Sequence, residues 1–157
     1  MNELSKSEKE VYDRRKGKLE EILKIDSTSL PHSFTTTTSL AHIRREYKDL
    51  GAGAKTSVNV IIAGRIVSAR SFGKLAFFDI RDRTEQIQLL LDKDNTLNET
   101  VEVIENLDVG DIIGCHGEII TTKKGELSIK ISKVQLLNKA LRGLPEKWHG
   151  LKDKETR

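Results

Sequence analysis

Apolar residues recur along this chain at two different spacings, and the spacing changes just beyond residue 52. From Glu3 to Lys24 charge is dense, and Val11, Leu19, Ile22 and Leu23 form a thin apolar stripe at helical intervals. That pattern predicts a helix with one narrow buried edge. Asp26 to Thr37 holds Pro31 and many short polar side chains that prefer turns and caps, so it reads as a linker or extended segment. Thr38 or Ser39 then caps a second helix carrying Leu40, Ile43, Tyr47 and Leu50, with Gly51 where a helix stop belongs.

After GAGAK the pattern turns to β-branched runs: 58–70 (VNVIIAGRIVSAR), 74–81 (KLAFFDIR) and 85–91 (EQIQLLL), parted by SFG and DRT turns. Residues 95–107 return to helical spacing through Leu97, Val101 and Ile104, and Asp108-Val109-Gly110 ends that stretch. Two more runs, 111–122 and 126–137, flank a Lys123-Lys124-Gly125 turn. Five strands with a helix between the third and fourth predict a mainly-β fold, the OB-fold. This is a five-stranded, partly open Greek-key barrel, here preceded by an N-terminal helical segment. Gly64, in mid-strand, suits a bulge or sharp coil that lets the first strand pair with both halves of the barrel.

Strand parity sorts the side chains. Phe77 and Phe78 are adjacent and so face opposite ways; Phe78 goes with Ala76 and Ile80 into the core, Phe77 with Leu75, Asp79 and Arg81 onto a mixed outer face. By the same rule Ile87, Leu89, Leu127, Ile129 and Ile131 point inward, while Gln86, Gln88, Glu126, Ser128 and Lys130 point outward. A ring among amides, a carboxylate and bases suits unpaired nucleic acid, with a flat surface for stacking and polar groups for base edges. The same residues allow blander roles: Phe77 as a satellite under a loop, Gln88 and Glu126 as solvated strand positions, Arg70 as a surface cation before the turn.

Composition narrows the classes without choosing the partner. Lys and Arg total 27 against 24 Asp and Glu, a net charge of +3 that neither demands nor excludes nucleic acid. One cysteine, Cys115 in an apolar run, gives no disulfide framework and reads as a small buried hydrophobe. The four histidines lack metal-ligand spacing, and no signal or membrane segment is evident, which places the chain in the cytoplasm by expectation.

The blocks VNVIIAGRIVSARSFGKLAFFDIRD, QIQLLL, LDVGDIIGCHGEIITTKKGELSI and LLNKALRGLPEKWHGLKDKETR resemble, in order and spacing, successive blocks of class II lysyl-tRNA synthetases. Aspartyl and asparaginyl enzymes share the AGR-like first strand, but the TKKGELSI hairpin and the final block look lysyl. The resemblance implies residues 1–52 as helices and linker, 53–140 as the anticodon-binding barrel, and 141–157 as the start of a connection to a catalytic domain not in this chain. It implies that Phe77 stacks on the central uridine of the tRNA-Lys anticodon loop, that Arg70 and Gln88 hydrogen-bond that base, and that Glu126 contacts anticodon bases. Lys123 and Lys124, in the hairpin beside this face, are candidates for phosphate contact or for plain turn solvation, and Arg65 in AGR, also a family position, is a further phosphate candidate. No catalytic, cofactor or metal residue is expected in this chain. ATP and Mg2+ belong by the same resemblance to a full-length parent enzyme, a homodimer without membrane attachment that joins lysine to tRNA. Two other readings stay open on the residues alone: a protein-interaction module and a general single-strand binder.

Overall fold

The computed structural model describes residues 5–142. Glu3, the LPEKWHGLKDKETR block and all but the first two residues of the expected connection at 141–157 lie outside them. Helix α1 (Lys6–Ile25) begins with a capping box: the Ser5 hydroxyl accepts from the Glu8 amide at 3.1 Å, and the Glu8 carboxylate accepts from the Ser5 amide at 2.8 Å. The expected apolar edge is real but narrow, with Ile22 fully buried and Leu19 and Ile25 packed beside it. Its polar side is docked as well. Arg15 donates to the carbonyls of Val109 (3.3 Å) and Ala140 (2.8 Å), and Lys18 pairs with Asp108 at 2.8 Å.

Helix α2 (Leu40–Glu46) is capped by Ser39, whose hydroxyl accepts from the His42 amide, and it stops well short of Gly51. Tyr47 and Leu50 still pack on the core, but from a turn in which the Leu50 amide donates to Tyr47. The start of α2 is fixed from outside: the Leu40 and Ala41 amides donate to Asp82 (3.0 Å) and Thr84 (3.1 Å).

Strands β1 (Lys55–Phe72), β2 (Leu75–Arg81), β3 (Gln86–Asp92), β4 (Ile112–Thr121) and β5 (Leu127–Asn138) form a closed barrel in the order β1-β2-β3-β5-β4. Helix α3 (Asn98–Glu105) lies between β3 and β4, preceded by a single 3-10 turn at Lys93–Asn95. The helical stretch is thus shorter than its apolar spacing suggests, because Asp92 caps the tighter turn first. The barrel is more closed than expected. A short parallel seam, Gln88↔Ser128 to Leu90↔Lys130, joins β3 to β5, while every other pairing is antiparallel.

β1 pairs with β4 up to Arg65 and with β2 from Arg65 onward, so one strand serves both halves. Gly64 permits the crossing by close approach: a methyl group there would stand 2.9 Å from the Arg81 carbonyl oxygen. The bulge itself falls later, at Val67, where the register slips between Ile66↔Ile80 and Ser68↔Asp79. Ile62, Ile66, Ile80, Ile87, Leu89, Ile113 and Ile129 fill the interior without exposure, each worth about 1.5 to 3 kcal/mol by burial. Cys115 lies among them, and burial pushes its thiol up to about 12, as befits a small hydrophobe. Among the described residues no helix is long and apolar enough to cross a membrane.

Candidate functional site

The Val67 bulge decides what the outer face contains. Directly paired residues of antiparallel strands point the same way, and the extra residue returns Ser68 and Arg70 to the side of Arg65 despite the odd count between them. β1 therefore sets Arg65, Ser68, Arg70 and Phe72 beside Leu75, Phe77, Asp79 and Arg81 of β2, and β3 adds Gln86, Gln88 and Leu90.

At the centre of this face the polar groups hold one another in fixed orientation. Arg70 Nη2 donates to Gln88 Oε1 at 2.9 Å and Nη1 to Asp79 Oδ2 at 3.3 Å, while Ser68 Oγ donates to the same Asp79 oxygen at 2.6 Å. Gln88 Nε2 donates to Ser128 Oγ at 2.9 Å, and that hydroxyl passes on to the Glu126 carbonyl. With its oxygen on a guanidinium and its nitrogen on a hydroxyl, the Gln88 amide has one orientation. Gln88 is only 8% exposed, so it is a seated amide and not a solvated strand position. Arg70 keeps further N–H donors free for a ligand, since a guanidinium carries five.

Phe77 is half-buried, with the Arg70 guanidinium carbon 5.5 Å from its ring centre. A second ring stands next to it: Phe72, 63% exposed at the β1–β2 turn, meets Phe77 edge to face at 5.9 Å and 67°. Sequence reading missed Phe72 by treating SFG as a turn, although its parity with Arg70 puts it on the same face. It also took Ser128 only as outward; Ser128 is on the outer face yet fully buried beneath Gln88.

The other expected residues lie around this centre. Glu126, just before β5, is half exposed and sits 3.8 Å from Arg44 of α2. Arg65 donates to the Gly110 carbonyl at 3.2 Å, and Lys123 and Lys124 are exposed in the β4–β5 turn. Arg44, which the sequence did not single out, bonds the Gln86 carbonyl through Nε at 2.6 Å and so brings a helix to the edge of the sheet. Among the described residues no group of three or more His, Cys, Asp or Glu side chains is placed to hold a metal ion.

Comparison with known proteins gives a context for this face. Residues 60–137, nearly the whole barrel, match the model of the OB-fold nucleic acid binding domain. The barrel belongs to that family. The OB-fold chain is also 43% identical over 124 residues to the lysine-tRNA ligase of Synechococcus sp. (strain CC9311), covering 79% of the chain and 25% of the relative. It is 37% identical over 155 residues to that of Nostoc sp. (94% and 28%) and 40% identical over 150 residues to that of Thermosipho melanesiensis (94% and 30%). The chain thus spans between a quarter and a third of the length of these curated relatives. The matched segment contains the whole outer face from Arg65 to Lys130.

Proposed function

We propose that the outer face of the barrel reads unpaired bases of the tRNA-Lys anticodon loop, as the anticodon-binding part of a cytoplasmic lysine-tRNA ligase. The observation that carries this reading is the seated Gln88 amide, joined to Arg70, whose guanidinium lies against the half-buried ring of Phe77. A base on the ring would present its edge to Arg70 and Gln88. Uracil offers two carbonyl acceptors and one ring N–H, a set that a guanidinium, an amide and a carboxylate such as Glu126 satisfy together. Phe72 widens the apolar platform toward a neighbouring base. In this reading ATP and Mg2+ belong to other parts of a dimeric parent enzyme. The described residues bind and orient RNA and transfer nothing.

The test is titration of a labelled lysine anticodon stem-loop. Phe77→Ala should weaken binding by about 1 to 3 kcal/mol, roughly 5- to 150-fold, with an unchanged circular dichroism spectrum. A central uridine replaced by cytidine should weaken wild-type binding too. Equal binding of both loops, or no effect of Phe77→Ala, would overturn the assignment.

A further inference from the structure

The end of the outer face away from Phe72 is crowded with arginines that base reading does not use. Arg65 and Arg81 are directly paired across β1 and β2, and like charges placed opposite one another cost stability. Arg44 reaches the next strand from α2, and Arg83 follows in the β2–β3 turn. Between α2 and that turn is an open hollow of about 470 Å3, lined by Arg44, Arg81 and Arg83 together with Asp82, Thr84 and Gln86.

Two acids also line this hollow, and Asp82 is fully engaged. Asp82 accepts from the amides of Leu40 (3.0 Å), Thr84 (2.7 Å) and Glu85 (2.9 Å), and from the Thr84 hydroxyl (2.6 Å). Burial alone would raise its carboxyl, but these hydrogen bonds hold it below the usual aspartate value, so it stays an acceptor committed to backbone. Glu85 accepts from the Gln86 amide at 3.0 Å. Arg81 gives one N–H to the Gln86 side chain at 3.0 Å and makes no ion pair among the described residues; Arg83 makes neither an ion pair nor a side-chain hydrogen bond there. Guanidinium forks with free donors match the oxygens of a phosphodiester two at a time, and three arginines against two acids leave the hollow net positive.

We propose that this hollow is a phosphate site, holding a backbone phosphodiester of the same RNA loop whose bases lie on Phe77, Arg70 and Gln88. The ligand would run along β2, with its bases toward the rings and its backbone crossing Arg81 onto Arg83. This rests on the anticodon-loop reading. The hollow supplies affinity and register without base preference, because a phosphodiester is the same at every nucleotide.

The experiment measures stem-loop binding by the full chain across a salt series, for wild type, Arg83→Ala and Arg81→Ala. Both positions are exposed, and a thermal melt for each variant verifies folding. Loss of one single-strand phosphate contact should make the log-log salt slope shallower by about 0.7 and weaken cytidine- and uridine-centred loops by the same factor. Loops carrying one uncharged methylphosphonate linkage at successive positions then locate the contact. At one linkage, wild type and Arg83→Ala should bind alike. An unchanged slope in both folded variants, or no such linkage, overturns the phosphate site. Loss of base preference or of the Phe77 effect, with the slope change intact, overturns the anticodon reading instead.

Discussion

Two charged clusters in this molecule use similar groups for opposite ends. At the base of the barrel the side chain of Lys139, 2% exposed, lies 2.7 Å from Asp111 and 2.8 Å from Asp108, and Lys18 of α1 completes the group. On the outer face the side chain of Arg70, 43% exposed, lies 3.3 Å from Asp79. The first cluster closes on itself: Asp111 also accepts from the Asp108 and Ala140 amides, and Lys139 donates to the Asn106 carbonyl. The second leaves guanidinium donors and a ring face toward water. Burial, more than the identity of the ions, separates a charge that holds the fold from a charge on offer to a ligand.

The largest way to break that comparison is Lys139→Met. The methionine fits the space but leaves two carboxylates facing each other, Asp111 wholly buried, and the expected cost is about 3 to 5 kcal/mol in urea unfolding. Stem-loop affinity of the folded fraction should not change. A loss below 1 kcal/mol would show that the buried group is not what secures this end of the barrel. Phe72→Ala should act the other way round, leaving stability alone and weakening stem-loop binding. Its exposed ring keeps water on one side, so about 1 kcal/mol, near the lower end of the stacking range, is expected, a loss of roughly fivefold. Because Phe72 and Phe77 meet at 67°, they cannot both stack flat on coplanar bases. An abasic nucleotide beside the central base should therefore erase the Phe72→Ala penalty while preserving that of Phe77→Ala, and a penalty that survives the abasic loop would sink the two-base arrangement.

What could be seen in advance was what depends on local alternation. The five strands, the inward turn of Phe78 and the outward turn of Phe77 follow from period two, whereas the Ser5 cap of α1 was passed over in a helix read from Glu3. The Arg70–Gln88 pairing was reachable once the face was assigned, though the burial of Gln88 was not, since Ser128 closes over it through a parallel seam of only three residue pairs. The Val67 bulge left no mark in the pattern, and it alone places Arg65 and Arg70 on one side. Lys139 reads as a surface cation after a strand; its partners stand 28 and 31 residues away. Arg44 likewise reads as a helix surface charge, and its carbonyl partner lies 42 residues on. Spacing reports faces, whereas these side chains are defined by pairings that only the closed barrel creates.

The smallest expected effect lies where the two kinds of charge meet, at Lys18 on α1. Burial by itself raises the Asp108 carboxyl, but hydrogen bonds from Lys139 and Lys18, with their charges, outweigh it and hold the group below its ordinary value of 3.8. The folded state therefore binds fewer protons at this site than the unfolded chain. The resulting stability is full above the ordinary value and is lost as pH falls through the lowered one. Lys18→Met removes one of the two bases and leaves Lys139 in place. At neutral pH the cost should stay under about 1 kcal/mol, as for other pairs open to water on one side. In acid the variant should differ more clearly: Asp108 should titrate at higher pH by carbon-13 NMR, and the α1 amides should lose exchange protection earlier on acidification than in wild type. Identical titration of Asp108 in the two proteins would mean that Lys18 touches the cluster without holding it, and that the apolar edge of Leu19, Ile22 and Ile25 with the Arg15 contacts docks the helix.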